Sequence, residues 1–156
     1  MSSPFRAFSF CVALGLTGVA LLGSAGRIGA EETPVSYRVS GDGIPDALAA
    51  GGDAERGRRI AADRNRGACV LCHAIPQTLA RFMGDLGPSL AGVGSRYTAA
   101  QLRLRIVDST RVHPDAAMPA YYRVDELHHV ASPYRDRTIL TAQQIEDVVA
   151  YLQTLR

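Results

Sequence analysis

The clearest pattern of apolar and polar positions lies near the end of the chain. Five apolar residues stand there at helical spacing and would form one stripe: Ile145, Val148, Val149, Leu152 and Leu155. Thr141 and Gln144 have the spacing of a capping box, and Leu140 and Ile145 have that of a hydrophobic staple. The pattern predicts an amphipathic C-terminal helix that begins just after Thr141.

A second capping box predicts another helix upstream. Thr98 and Gln101 form the box, Tyr97 and Leu102 form the staple, and apolar residues continue the pattern at Ile106 and Val107. A third candidate covers residues 53–66, where Asp53 would place a negative charge near the helix N-terminus.

The helix predicted at residues 53–66 contains an internal glycine, Gly57. A glycine inside a helix costs up to about 1 kcal/mol relative to alanine. Such a residue often indicates that another backbone approaches closely. We therefore expect this helix to pack tightly against a second element.

The N-terminal residues 1–30 are typical of a secretory signal peptide. Arg6 precedes the uncharged apolar run 8–22, and small residues lead to a plausible cleavage point after Ala30. The run is short for a membrane span, which needs about 20 residues. An uncleaved N-terminal anchor is the alternative. We expect an exported, periplasmic protein with no membrane contact after cleavage.

Residues 31–52 are rich in Gly, Pro and small side chains, with a short alternation at 35–39. They are predicted to form an extended N-terminal arm that pairs with another element, or alternatively a solvated tail, ahead of a folded domain at 53–156. No strong strand pattern follows residue 40, so an all-α domain is expected. The loop-rich stretches 74–96 and 108–139 need something other than a sheet to hold them, such as a large apolar cofactor.

Charge and cysteine content narrow the possible functions. The 17 basic and 15 acidic residues nearly balance once Arg6 and Arg27 are removed with the signal peptide. Nucleic acid and anionic membrane surfaces are therefore not indicated as partners. Of the 3 cysteines, Cys11 lies in the signal peptide, which leaves Cys69 and Cys72 in the mature chain.

Those two cysteines belong to the motif Cys69-Val70-Leu71-Cys72-His73. Residues three and four apart share one face of a helical turn, so both sulfurs and the imidazole would point the same way. Two thiols at this spacing can add to the two vinyl groups of haem, and CxxCH in an exported chain is a specific haem-attachment signal. Zinc normally requires four ligands, and a thioredoxin-like CxxC requires a βαβ context; neither is indicated.

The sixth position of the iron needs a second axial ligand from the loops. Met118 is the preferred candidate, since it lies far enough along the chain to reach the opposite face, and Pro119 stiffens its loop. A thioether ligand would raise the reduction potential. Met83 lies only ten residues after His73. Met83 and the three downstream histidines, His113, His128 and His129, remain as alternatives.

The run Gly87-Pro88-Ser89-Leu90 is the candidate support for His73. An axial histidine usually donates its second ring N–H to a carbonyl or carboxylate. The Pro88 carbonyl is the predicted acceptor, and an ordinary turn is the alternative.

These motifs together resemble class I cytochromes c. In that family the first and last helices cross with a glycine packed near an aromatic ring, and Gly57 and Tyr151 match these roles. Three longer runs, 84–97, 118–124 and 139–152, more specifically resemble SoxX, the monohaem cytochrome subunit family of SoxAX thiosulfate-oxidising complexes. The resemblance covers almost all of residues 40–156. It implies a class I cytochrome c fold around one covalent haem c.

The SoxX resemblance also implies ligands, partners and a function. Cys69 and Cys72 would hold the haem, and His73 and Met118 would ligate its iron. The chain would form a heterodimer with a SoxA-type cytochrome subunit that bears its own haem and a catalytic cysteine persulfide. Thiosulfate would be coupled to a cysteine of the SoxYZ carrier, and the electrons released would pass through this chain to a soluble cytochrome c.

This reading makes the chain a non-catalytic subunit of an L-cysteine S-thiosulfotransferase. With both mature cysteines committed to haem, no thiol remains to act as the sulfur nucleophile, which is expected on the SoxA partner. The alternative is a diffusible periplasmic electron carrier or the haem subunit of another dehydrogenase. A carrier typically has a face of one charge sign, so the near-neutral chain slightly favours a stable subunit.

Overall fold

The computed structural model describes residues 33–78, 80–132 and 135–156, and the predicted signal peptide lies outside them. Four α-helices form in this part of the chain: α1 Ala54–Ala62, α2 Val93–Arg96, α3 Ala99–Val107 and α4 Ala142–Thr154. Short 3₁₀ turns lie at Cys69–Leu71 and Ser109–Arg111. Within the described ranges no sheet forms, and the all-α prediction is confirmed. None of the helices described is long and apolar enough to cross a membrane.

The two predicted capping boxes are both present. At the start of α3, the Gln101 N–H donates to Thr98 Oγ1 at 3.3 Å and the Thr98 N–H donates to Gln101 Oε1 at 2.9 Å. At the start of α4, the equivalent distances for Gln144 and Thr141 are 3.2 Å and 2.9 Å. Both helices therefore begin where the sequence predicts, because each box satisfies N–H groups that the first turn leaves free.

Helices α1 and α4 cross at the internal glycine of α1. A Cβ placed on Gly57 would clash with the Asp147 carbonyl oxygen and lie 2.9 Å from Cβ of Tyr151. Only glycine allows the two backbones to approach this closely. The predicted close packing of the 53–66 helix is confirmed, with the last helix of the chain as its partner.

The Asp147 carboxylate reinforces this crossing. It accepts the Asp53 backbone N–H at 2.8 Å and the Arg56 guanidinium at 2.8 and 2.9 Å. Burial would by itself raise the pKa of Asp147, but hydrogen bonds from Arg56, Asp53 and Gln143 outweigh it and lower the pKa. Asp147 therefore remains ionised and joins the beginning of α1 to the middle of α4.

Helix α1 is shorter than predicted, since it ends at Ala62 and not at residue 66. The Asp63 side chain accepts the Asn65 N–H at 2.9 Å, and the Asp63 carbonyl accepts the Ala68 N–H at 2.8 Å. Such local bonds compete with continuation of a helix. The resulting turn leads directly into the CxxCH motif.

The N-terminal arm packs against the helices of its own chain. Ile44 and Leu48 are 0% and 6% exposed and join the hydrophobic core. The Ile44 carbonyl accepts a hydrogen bond from Arg103 at 2.6 Å, and the Leu48 N–H donates to Glu146 at 2.9 Å. A further bond at 3.0 Å joins the Ile44 N–H to the Ala100 carbonyl. The arm is therefore attached to α3 and α4.

The beginning of the described arm contacts a different part of the fold. The Val35 N–H donates to the Tyr122 hydroxyl at 2.8 Å, and the rings of Tyr37 and Tyr122 lie 6.3 Å apart. The arm thus reaches from α4 to the loop that contains the predicted methionine ligand.

Candidate haem site

The loops between the helices enclose a cavity of about 730 Å³. This volume lies within the range of roughly 300–1,000 Å³ that is usual for ligand sites. Its wall is mainly apolar and includes side chains from α3, α4 and the segments that precede them: Leu90, Leu102, Ile106, Leu140, Val148 and Leu152. The cavity therefore suits a large apolar cofactor, as the loop-rich sequence leads one to expect.

The CxxCH motif forms one wall of the cavity. Cys69, Cys72 and His73 all line it, and the motif is wound into a 3₁₀ turn at Cys69–Leu71. The Cys69 carbonyl accepts the N–H groups of Cys72 at 3.1 Å and His73 at 2.9 Å. This compact turn presents both sulfurs and the imidazole to the same space, as attachment of one porphyrin requires.

The predicted support of His73 is present in the geometry. The Nδ1 atom of His73 lies 2.7 Å from the Pro88 carbonyl oxygen, which leaves Nε2 free to face a metal. Gly87 makes room for the imidazole, since a Cβ there would lie 2.6 Å from His73 Nδ1. The Gly87 N–H also bonds to the Cys72 carbonyl at 2.8 Å. The Gly-Pro segment thus orients the ring from behind.

The candidates for the second iron ligand differ in whether they line the cavity. Met118 and His113 line the cavity, whereas Met83, His128 and His129 do not. The sulfur of Met83 accepts the Ile75 N–H at 3.2 Å, and the residue is 41% exposed. The Met118 carbonyl accepts the Ser109 hydroxyl at 2.8 Å, which anchors the Met-Pro loop to the 3₁₀ turn that follows α3.

Tyr121 connects the two sides of the cavity, a role that the sequence does not indicate. Its buried hydroxyl donates to the Gly67 carbonyl at 2.6 Å, just before the CxxCH motif. Its backbone N–H donates to the Ile106 carbonyl at 3.1 Å, and its own carbonyl accepts the Leu140 N–H at 3.1 Å. Burial raises the pKa of Tyr121, so the hydroxyl keeps its proton and remains a donor. The methionine loop is thereby fixed relative to the cysteine turn.

Cys69 lacks the environment of a nucleophilic thiol. Burial raises the pKa of the Cys69 thiol to about 11, the opposite of what an activated thiolate requires. No cluster of three or more His, Cys, Asp or Glu residues suited to a metal ion occurs in the part of the chain that the structure describes. The cavity residues fit haem: paired sulfurs, an oriented imidazole, a thioether and an apolar wall.

Comparison with known proteins agrees with this geometry. The family model for cytochrome c matches residues 54–156. The chain is similar to a chain in the crystal structure of SoxXA from P. pantotrophus, with 35% identity and a TM-score of 0.72, over 81% of this chain and 98% of that one. The c-type cytochrome SorU from Sinorhizobium meliloti is a remote similarity, with 24% identity and a TM-score of 0.44 over 65% of this chain and 88% of that one. The search of curated proteins finds no match.

The cytochrome c model spans both the CxxCH turn and the C-terminal helix, and the similarity to SoxXA extends over nearly the whole solved chain. The predicted fold class and cofactor are confirmed. The chain belongs to the cytochrome c family, within it to the SoxX cytochromes, and it carries one covalently attached haem c.

Proposed function

We propose that this chain is the electron-accepting haem subunit of a SoxAX-type L-cysteine S-thiosulfotransferase. The observation that carries the proposal is the 35% identity to a chain of SoxXA from P. pantotrophus across 98% of that chain. A mainly apolar cavity lined by the haem-attachment motif supports a role in electron transfer.

In this proposal Cys69 and Cys72 would hold the haem through two thioether bonds, and His73 and Met118 would ligate its iron. Haem c supplies an iron that alternates between the ferric and ferrous states and so holds one electron. Pro88 orients His73 through its carbonyl, 2.7 Å from Nδ1. The apolar side chains around the cavity exclude water, and together with the thioether of Met118 they favour the less charged ferrous state.

The sulfur chemistry is assigned to partner proteins, because both cysteines described in this chain belong to the attachment motif. In the overall reaction, a carrier thiol loses its proton and forms a bond to the outer sulfur of thiosulfate. The product is a cysteine S-thiosulfonate, and two electrons are released. A single haem takes these electrons one at a time, so two transfers are needed per turnover. The proposed carrier is SoxYZ, and the nucleophilic cysteine persulfide lies on a SoxA-type subunit.

We further propose that the chain acts in the periplasm after cleavage of residues 1–30, and that a soluble cytochrome c receives its electrons. The apolar run with its flanking Arg6 and small residues supports export. Intact-mass analysis of the purified protein tests both points of maturation, since it gives the N-terminus and the mass of one added haem. A mass that retains residues 1–30 would contradict cleavage.

The partner assignment is tested by co-expressing the tagged chain with the SoxA subunit of the same organism. We expect a stable heterodimer whose haem in this chain becomes ferrous when thiosulfate and SoxYZ are both added. Met83→Ala is the matched control for Met118→Ala. The haem of Met83→Ala should be reduced as readily as that of the wild type, whereas the haem of Met118→Ala should be reduced poorly because its reduction potential falls. A chain that stays monomeric and is not reduced would instead favour the diffusible carrier.

A further inference from the structure

An ion pair outside the cavity lies beside the loop that contains Met118. Asp108, between α3 and the 3₁₀ turn that follows it, is 1% exposed. One of its carboxylate oxygens accepts a hydrogen bond from Arg123 Nη1 at 3.0 Å, and the arginine side chain is only 19% exposed. A buried carboxylate is costly unless a partner compensates its charge. The pair therefore joins the end of α3 to the segment that follows the methionine.

The other carboxylate oxygen of Asp108 fixes the turn that contacts Met118. It accepts the Thr110 N–H at 3.2 Å and the Thr110 hydroxyl at 2.5 Å, and so caps the 3₁₀ turn Ser109–Arg111. The Ser109 hydroxyl of this turn donates to the Met118 carbonyl at 2.8 Å. Asp108 thus acts on both sides of the methionine, through the turn that binds its backbone and through the arginine that follows it in sequence.

Few other contacts hold the segment 118–123 against α3. The Tyr122 N–H donates to the Val107 carbonyl at 3.3 Å, which is long for a backbone hydrogen bond. No α-helix forms between α3 and α4 in the described residues, so the segment depends on such individual contacts. A charge-assisted hydrogen bond is roughly twice as strong as a neutral one. The Asp108–Arg123 pair is therefore expected to be the strongest contact between the segment and the end of α3.

We propose that Asp108 and Arg123 are positioning residues for the Met118 thioether, and that their ion pair limits how often the loop opens and admits another ligand to the iron. The inference rests on the proposed ligation of the iron by Met118. A thioether favours ferrous iron, so in the ferric state the loop has to keep the sulfur in place. An external ligand binds only the open form, and its apparent affinity therefore rises in proportion to the open fraction.

The test measures imidazole binding to the haem-loaded ferric protein by loss of the long-wavelength Met–ferric absorption band. Asp108→Asn retains an oxygen for the Thr110 N–H, since asparagine caps as well as aspartate does, but it removes the charge that faces Arg123. We expect this variant to bind imidazole roughly tenfold more tightly than the wild type, which corresponds to about 1.4 kcal/mol in loop opening. Arg123→Gln should have a similar effect, and Arg123→Lys, which keeps the charge, should have a smaller one.

Two control variants separate this role from other effects of charge and stability. Arg111 approaches the same carboxylate at 3.6 Å, but its side chain is 63% exposed and solvent screens the pair, so Arg111→Gln should leave imidazole affinity unchanged. Glu146→Gln breaks a different buried ion pair, which joins α4 to Arg103 of α3, and it should also leave the affinity near the wild-type value. An increase in either control equal to that in Asp108→Asn would overturn the proposal, as would unchanged affinity in both Asp108→Asn and Arg123→Gln.

The double variant Asp108→Asn with Arg123→Gln avoids an unpaired buried charge and so does not depend on the folding of either single variant. We expect its imidazole affinity to exceed that of the wild type by less than the product of the two single increases. Unchanged affinity in the double variant would overturn the proposal, and independent effects of the two substitutions would overturn the pairing. A wild-type protein without the Met–ferric band would overturn both this proposal and ligation by Met118, whereas a wild-type band with equal imidazole affinity in every variant would overturn this proposal alone.

Discussion

Glu146→Gln should cost the folded protein about 3–5 kcal/mol, the penalty usual for removing one partner of a buried ion pair. The side chains of Glu146 and Arg103 are each 6% exposed, and two hydrogen bonds of 2.6 and 2.8 Å join them. Glutamine keeps the shape of the side chain but leaves the guanidinium buried without its counter-charge. The amide NH₂ of the glutamine would also face an N–H group of the Arg103 guanidinium, so two hydrogen-bond donors would oppose each other.

The same pair holds the arm, so the effect should spread beyond α3 and α4. Glu146 accepts the Leu48 N–H at 2.9 Å, and Arg103 donates to the Ile44 carbonyl at 2.6 Å. For a domain of this size, 3–5 kcal/mol corresponds to a decrease in Tm of roughly 10–20 °C. Urea unfolding of the haem-loaded protein, followed by far-ultraviolet circular dichroism, measures the loss directly.

Glu55→Gln is the matched control, because Glu55 also pairs with arginine but its side chain is 57% exposed. It should change stability little, since solvent screens exposed pairs. Equal midpoints for Glu146→Gln and Glu55→Gln would refute the reasoning. In the double variant Arg103→Met with Glu146→Leu, no unpaired charge remains, so the helices should persist while the arm becomes sensitive to protease.

Three further predictions concern the site and the helix crossing. Met118→Ala should abolish the long-wavelength Met–ferric absorption band and Met83→Ala should retain it; the reverse result would transfer the ligand role to Met83. Tyr121→Phe should cost about 1–3 kcal/mol, because the carbonyl before the cysteine turn loses its partner. The Met–ferric band should then be lost at lower urea than in the wild type, and an unchanged midpoint would contradict the bracing role of the Tyr121 hydroxyl. Because the pKa of Asp147 is lowered in the folded protein, its carboxylate stabilises the fold fully at pH values above its ordinary pKa of about 3.9. This contribution disappears as the pH falls through the lowered pKa. Asp147→Asn should therefore be less stable than wild type at neutral pH, with the difference closing in acid; a difference independent of pH would contradict the ionised role.

Features that depend on local sequence could be predicted well. The capping boxes at Thr98 and Thr141 act within four residues, so the starts of α3 and α4 follow from the sequence. The spacing of Cys69, Cys72 and His73 is likewise local, so haem attachment could be predicted from it. Gly57 could be recognised as a place of close approach, although its partner helix came only from the family resemblance.

Features that depend on distant pairs could not be predicted. Arg103 and Glu146 lie 43 residues apart, and each resembles an ordinary solvated charge on its own helix. Ile44 is a single apolar residue in a Gly- and Pro-rich stretch, so nothing in the sequence indicates that it is buried. The Tyr121 hydroxyl reaches a carbonyl 54 residues away.

The Gly57 crossing has a consequence for biosynthesis. Helix α1 begins soon after the arm, whereas α4 lies about eighty residues further along the chain, so this contact cannot close until translation has delivered both helices. We expect the emerging chain to stay open enough to thread through an export channel. Its two thiols would then remain accessible to the enzyme that attaches the porphyrin, and closure of the first helix upon the last would complete maturation.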